Sequence, residues 1–482
     1  MKISAVEIKN FRGIGENTPA FRCDDFNLII GDNGTSKTAI LEAINLCLNS
    51  GYAASKLSIK DFYLGKDVVI ELSVKFEDNF EVEIPDLFGN TQKITCNGIC
   101  MKAKKRDRSA PGKAFNDLVV VEHFYSPVEQ RGADGWAITR GTGTVLKITE
   151  RQLALSYASA ATPKPFYFGK NRDKQLRKGY NSSMSSVIDD LNWRFEKSQR
   201  SKDETEKFKH KREEIEKHIF DNTDGTTLAK TIAETNKTLA ELDIPAIDLS
   251  LVKTLTPYDS SEMVKRFDGF ELPVNLTGSG IEMITALIFL ETMAKISRNE
   301  ISIIIDEPEL HLHPTLQDKF AKHLQQVSSE SQVFISTHSP FFFRNCFSNS
   351  CTNVLISEIE SDNVKINNAK DKGFGLLSWS PSWGEICYFA YNLPTMEFHD
   401  DLYASIQDKN GTETIAATEA WLLLNGQTKE IKWTDLTSGQ KEETLMTYIR
   451  NRIHHGDNQD RPVFSQEQLA DSIQRMIALL KI

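Results

Sequence analysis

No run of eighteen apolar residues occurs in this chain, so nothing in it reads as a conventional membrane-spanning helix. Its first residues, Met1-Lys-Ile-Ser-Ala-Val-Glu7, lack the apolar core of a secretory leader. Cysteine is sparse: seven residues scattered from Cys23 to Cys387, an odd number that makes no disulfide framework in 482 residues. A reduced, cytoplasmic protein without membrane association is the expectation. Cys96 and Cys100 have no second Cys/His pair at zinc spacing, so a structural zinc site is not expected. Positive charge is also short. With 57 Lys+Arg against 67 Asp+Glu the formal net charge is −10, which excludes indiscriminate coating of polyanions but leaves room for a local basic groove. Two runs could form one, Lys102-Ala-Lys-Lys-Arg-Asp-Arg108 and Lys170-Asn-Arg-Asp-Lys-Gln-Leu-Arg-Lys178, although such runs are usually solvated surface. Internal repeats, low-complexity segments and sustained heptads are missing too.

What is present is a 40% hydrophobic content in a chain too long for one ordinary core, which implies two or more domains. The opening reads as a strand over residues 2–8, a polar break at Asn10-Phe11-Arg12-Gly13, and a second strand Phe26-Asn-Leu-Ile-Ile30. From about Val68 to Val121 apolar and polar positions alternate in short runs, as in an antiparallel meander. Residues 185–242 are strongly charged and poor in Gly and Pro, with arms over 186–219 and 227–242 around Asp221-Asn-Thr-Asp-Gly225, and read as a helical hairpin insertion. From Leu251 the pattern becomes strand, Gly-rich loop, helix 281–297, strand 301–305, helix 315–327 and strand 332–336, which implies a mainly parallel sheet with crossover helices. Beyond about Asn363 come Trp379 and Trp383 in loops, then helical segments near 393–409, 413–424, 441–455 and 465–481.

Four motifs carry chemistry. Gly31-Asp-Asn33-Gly34-Thr-Ser36-Lys37-Thr38 follows a strand and opens a helix, the context of a phosphate-binding loop. Its amides would curl round a β-phosphate, Lys37 would reach the β and γ oxygens, and Thr38 would offer a hydroxyl to Mg2+. Ser36 departs from the pattern, since glycine normally precedes this lysine. Ile301-Ser-Ile-Ile-Ile-Asp306-Glu307-Pro308 delivers two carboxylates from a buried strand: Asp306 to hold the ion, through water or through Thr38, and Glu307 to polarise the attacking water. A strand over Val333-Phe-Ile-Ser-Thr337 leads into His338, a candidate γ-phosphate contact. Asn275-Leu-Thr277-Gly278-Ser279-Gly280 precedes a helix, where Ser279 and Gly280 could meet the γ-phosphate held by a second subunit.

Together these elements, with Ile8-Lys-Asn-Phe-Arg12-Gly and Ile-Asp-Glu-Pro-Glu-Leu-His-Leu-His-Pro314, resemble over roughly residues 1–345 the ATP-binding-cassette branch of P-loop ATPases. The nearest likeness is to its soluble group of chromosome-maintenance, recombination and overcoming-lysogenization-defect ATPases. The resemblance implies an α/β head with a mixed sheet over residues 1–362, ATP and Mg2+ as cofactors, and hydrolysis in a head-to-head homodimer or higher homo-oligomer. It also implies Arg12 near the phosphates and Glu309 and His311 in a dimer-facing loop. A glutamine loop is not assignable; Gln130 and Gln175 are both candidates.

After a linker over 363–392, residues 393–482 carry Tyr448-Ile-Arg450-Asn451-Arg452-Ile-His454-His455-Gly456, which resembles the Arg-x4–6-His motif of HEPN domains, all-α bundles that are often metal-independent ribonucleases. RNA supplies its own 2′-hydroxyl nucleophile, so a proton-moving His455, a charge-stabilising Arg450 and an orienting Asn451 would be sufficient. Arg450 and His454 share a helix face, whereas His455 lies roughly 140° from Arg450, so the site needs a distorted helix end or a second subunit. Three functions follow: an antiphage or abortive-infection ATPase controlling its own HEPN-like ribonuclease, with tRNA as first substrate to test; a regulatory ATPase restraining a separately encoded nuclease; or a repair ATPase binding DNA ends.

Overall fold

The computed structural model describes residues 1–85, 91–106, 119–128, 136–140, 144–148, 153–155, 162–169, 227–252, 260–267, 270–274, 278–296, 300–310, 312–347, 352–360, 363–436, 439–456 and 461–481. The chain opens with β1 (Ile3–Lys9), β2 (Phe21–Arg22) and β3 (Phe26–Ile30), followed by α1 (Lys37–Leu48) and α2 (Ser50–Lys56). Three strands follow, β4 (Ile70–Pro85), β5 (Thr91–Lys105) and β6 (Val119–Pro127), then a hairpin of β7 (Trp136–Arg140) and β8 (Thr144–Ile148), and β9 (Lys164–Phe168). Next come α3 (Thr227–Glu241), the small sheet β10 (Asp248–Val252), β11 (Ser260–Phe267) and β12 (Phe270–Pro273), and α4 (Ser279–Ile296). The head closes with β13 (Ile301–Asp306), α5 (Pro314–Val327), β14 (Gln332–Ser336), α6 (Pro340–Cys346), β15 (Thr352–Glu360) and β16 (Asn363–Asn368).

These strands build two main sheets. One is antiparallel, in the order β2-β1-β4-β5-β6. The alternation of residues 68–121 therefore forms long strands rather than a chain of short runs, because the period-two pattern survives the register shift between Lys75 and Phe80. The second sheet is mixed, in the order β16-β15-β3-β14-β13-β9, parallel throughout except for the β15–β16 pair. Its central strands are buried on both faces. Leu28, Ile303, Ile305 and Ile335 join one core, whereas Ile29, Ile304 and Phe334 join the other, which is why these strands read as unbroken apolar runs.

Beyond the sheet run α7 (Ala369–Lys372), α8 (Trp383–Tyr391), α9 (Met396–Asn410), α10 (Ile415–Leu424), a hairpin of β17 (Ile431–Asp435) and β18 (Gly439–Glu443), α11 (Leu445–His454) and α12 (Gln466–Leu480). Threonine and serine caps set the helix starts: Thr395, Thr414 and Thr444 each accept a backbone N–H, and capping boxes open α8 at Ser382/Glu385 and α12 at Ser465/Gln468. Two expectations need correction. Residues 363–392 are no free linker, since Asn363–Asn368 adds an edge strand to the head and α8 packs in the core. The C-terminal part is not all-α, because Trp433 and the β-favouring Ile431 and Thr434 pair with residues 439–443.

One core runs from β3 and α4 to Leu480 without a break. A train of rings crosses between head and C-terminal part: Phe343 of α6 meets Phe374 at 5.5 Å, Phe374 meets Phe389 of α8 at 5.7 Å, and Phe389 meets Phe398 of α9 at 6.0 Å. Such pairs contribute about 0.5–1.5 kcal/mol each beyond their burial. Of the proposed helical hairpin only Thr227–Glu241 lies within the described residues; its other arm, like Gln130, Gln175, His311 and the run from Lys170, lies outside them. No described helix is long and apolar enough to cross a membrane.

Candidate nucleotide site

The parallel strands β3, β14 and β13 end side by side, and the loop after β3 turns over those ends into α1, where open α/β sheets bind ligands. Gly31 leaves the strand at φ 145°, and an added Cβ there would stand 2.2 Å from the Ser357 carbonyl oxygen of β15. Gly34 has φ 83° with open space around it, and Asn33 and Gly34 are exposed at the loop tip. Ser36, the departure from glycine, takes the left-handed conformation that glycine would supply, φ 67° and ψ 22°. The sequence thus keeps the loop geometry at the cost of strain in one side-chain-bearing residue, of order 1–2 kcal/mol. Gly31→Ala is expected to destabilise the fold by roughly 2–3 kcal/mol in denaturant titration, and more than Gly34→Ala, because only the former meets backbone. Equal losses would remove the steric argument.

Lys37 is buried, and its Nζ donates to the carbonyls of Gly31 at 2.8 Å and Asp32 at 2.7 Å. Thr38 Oγ1 donates to Asp306 Oδ2 at 2.9 Å, while Ser336 Oγ donates to Asp306 Oδ1. Asp306 and Ser336 are register partners of β13 and β14, so the sheet itself sets this contact. Ser336 stands inside the strand Val333–Thr337 that leads into His338, yet nothing in its type or spacing marks it as a carboxylate partner. The donor set is hard oxygen, a hydroxyl beside a carboxylate only 1% exposed, and it fits Mg2+, which takes one or two protein oxygens and completes its shell with phosphates and water.

Glu307 adopts φ 51°, held by its N–H donating to the Ser336 carbonyl at 3.0 Å. A residue held in this region is typical of a functional constraint. Its Oε1 lies 3.5 Å from His338 Nε2, and both side chains keep partial access to solvent. The two residues that the sequence set thirty-one positions apart therefore meet at the ends of the adjacent strands β13 and β14. Ser279 and Gly280 open α4 after Gly278 at φ 117°; Asn275–Thr277 lie outside the described residues.

Arg12 and Glu309 are both held by contacts among the described residues. Arg12 pairs with Glu42 of α1 at 2.6 Å and Asp61 at 2.8 Å and stacks over Phe11, and the turn it belongs to lies against the phosphate loop, since a Cβ on Gly13 would stand 2.6 Å from Ser36 Oγ. Glu309 does not project from the head. It is 8% exposed, and burial pushes its carboxyl above the usual range; Oε1 accepts Thr337 Oγ1 at 2.8 Å and the backbone N–H groups of His338 at 2.9 Å and Ser339 at 3.2 Å. It fixes the His338 loop. Sequence reading missed this because a third carboxylate after Asp-Glu-Pro looks like an exposed turn residue.

A model of the AAA ATPase domain matches residues 1–124 and 165–343. The chain belongs to that ATPase family. Among relatives, the OLD nuclease of Thermus scotoductus is 22% identical over 356 residues, 70% of this chain and 59% of that protein. The Retron Vc95 probable ATPase of Vibrio cholerae is 23% identical over 393 residues, 73% of this chain and 70% of that protein. The chain thus spans less than two thirds of the OLD nuclease. Among solved structures, the Smc head bound to the C-winged helix domain of ScpA is similar at a TM-score of 0.45 and 14% identity, covering 76% of this chain and 97% of that one.

The family match stops at residue 343, so the C-terminal residues are placed by geometry alone. Arg450 Nη1 donates to Asn451 Oδ1 at 3.3 Å, and Asn451 is buried with its amide on Glu443 at 3.1 Å. Glu443 also accepts Trp433 Nε1 at 3.1 Å and Arg461 Nη2 at 3.2 Å. Asn451 is therefore structural as well as adjacent to Arg450. His454 pairs with Asp400 at 2.8 Å, and His455 ends α11 exposed, at φ −122° and ψ 52°. The helix proper ends at His454, and His455 is its cap.

Proposed function

We propose that this chain is an ATPase of a bacterial antiphage or abortive-infection system, in which ATP hydrolysis controls an RNA-cleaving activity of the C-terminal helical part. The observation that carries the reading is the meeting of Thr38, Asp306, Glu307 and His338 at the ends of adjacent strands, on a head whose core continues into the C-terminal helices. The defence setting rests on likeness to the OLD nuclease and the retron ATPase.

In the hydrolytic step Lys37 exchanges its two loop carbonyls for β- and γ-phosphate oxygens, and the loop amides bind the phosphates. Thr38 and Asp306 would hold Mg2+, which when bound neutralises charge developing on the phosphates. Glu307 orients a water and takes its proton as the water oxygen bonds to the γ-phosphorus and the bond to the β–γ bridging oxygen breaks. His338 contacts the γ-phosphate and relays its presence. Ser279 and Gly280 of a second copy complete the site in a homodimer. In RNA the 2′-hydroxyl attacks the adjacent phosphorus, expelling the 5′-oxygen; His455 moves the proton and Arg450 steadies the added charge.

The engagement of Asn451 with Glu443 favours a second reading, in which the C-terminal part is a docking module for a separately encoded nuclease. One experiment addresses control: the purified chain is incubated with tRNA and Mg2+ without nucleotide, with ATP, and with a non-hydrolysable analogue. Cleavage that differs between the ATP and analogue arms supports the proposal. Identical cleavage in all arms removes ATP control, and no cleavage in any arm favours the docking module. ATP turnover raised by linear duplex DNA would instead support a DNA-end-binding repair ATPase.

A further inference from the structure

Glu309 uses its two oxygens unequally. Three donors, Thr337 Oγ1 and the His338 and Ser339 amides, converge on Oε1, whereas no donor meets hydrogen-bond geometry at the buried Oε2. An ionised carboxylate offers about four lone-pair sites shared over both oxygens, so this one stands ready for a donor. Leaving such an atom buried and unpaired costs about 1–3 kcal/mol.

A candidate for that donor comes from the C-terminal part. Tyr391, the last residue of α8, has a hydroxyl that is likewise buried without a protein partner. Burial first, and then the charge of Glu309, push its phenol above the ordinary range. Helix α8 packs on α6, the helix that begins directly after the His338 loop, and the Phe343–Phe374–Phe389 rings fix that packing. Two orphaned polar atoms therefore lie on either side of the boundary between the nucleotide switch and the C-terminal helices, one a pure acceptor and the other a donor.

We propose that Glu309 is a positioning residue for His338 and that Tyr391 completes it: the Tyr391 hydroxyl donates to Glu309 Oε2 in the arrangement of the loop that hydrolyses ATP, so the seating of α8 sets the placement of His338 against Glu307. The link is the physical path by which the two halves of the chain sense one another. It rests on the hydrolytic reading given above for Glu307 and His338.

The test is a double-mutant cycle of Tyr391→Phe and Glu309→Gln in the full chain, read as kcat and KM for ATP together with thermal midpoint. Tyr391→Phe removes one oxygen that has no protein partner, so a purely structural role predicts an unchanged or higher midpoint and unchanged kcat. The proposal expects kcat lower by about fivefold or more with KM unchanged and the midpoint not lowered. It also expects the double variant to turn over no more slowly than Glu309→Gln alone. A wild-type kcat in Tyr391→Phe, a loss that follows a lowered midpoint, or losses that multiply in the double variant would each overturn it. No turnover by the wild-type chain would sink the hydrolytic reading and this proposal together, whereas turnover indifferent to Tyr391 sinks the proposal alone.

Discussion

Glu307→Gln is expected to lower ATP turnover by about 10²–10⁴-fold while leaving ATP binding in place. The substitution keeps the shape of the side chain and adds no Cβ change at φ 51°, so the strained backbone and its hydrogen bond to Ser336 persist. It removes only the ability to accept a proton from water. Lys37, Thr38 and the loop amides, which supply the binding, are untouched. The variant should therefore hold ATP and prolong the life of the proposed ATP-bound dimer. Phosphate release and nucleotide titration separate the two effects. A Glu307→Gln chain that hydrolyses ATP at the wild-type rate would take Glu307 out of its assigned role and shift attention to His338, its 3.5 Å neighbour.

Much of this site was legible because parallel sheets couple pattern to position. An apolar run such as Ile303–Ile305 can be buried on both faces only in the middle of a sheet, so the polar residues that follow it must emerge at the strand end. Asp306, Glu307, His338 and the 31–38 loop follow such runs, and the helices expected near 281–297, 315–327, 393–409, 413–424 and 465–481 correspond to those at 279–296, 314–327, 396–410, 415–424 and 466–480. What the sequence hid were contacts whose partners are distant in the chain. Arg12 gives no sign in the sequence that Glu42 and Asp61 fold beside it. Glu309 looks like an exposed turn residue until the strand carrying Thr337 is laid next to it. Neither pairing has a local signal, since charge compensation depends on which elements become neighbours. The hairpin at 431–443 was missed for a similar reason: its two short strands stabilise each other, and neither is long enough to announce itself.

The C-terminal part gives the sharpest separation between chemistry and scaffold. His455→Ala is expected to lower tRNA cleavage by about 10²–10⁴-fold, the usual contribution of a positioned general acid or base. The side chain is exposed at the end of α11, so its loss should change the stability of the fold by no more than about 0.5 kcal/mol, as for an ordinary surface substitution. Asn451→Ala is the contrasting variant. It releases the amide from Glu443, whose carboxylate also holds Trp433 and the buried Arg461, and leaves a hub of charged groups with one partner fewer. That change should lower stability by about 1–3 kcal/mol as well as cleavage. Measured side by side by RNA cleavage and denaturant titration, the two variants distinguish the proposals. Loss of cleavage at unchanged stability in His455→Ala assigns the chemistry to this chain. Cleavage that persists in His455→Ala and falls only as Asn451→Ala unfolds the hub would make the C-terminal helices a mount for a separate nuclease, with the Thr38, Asp306 and Glu307 site controlling it from the other end of one continuous core.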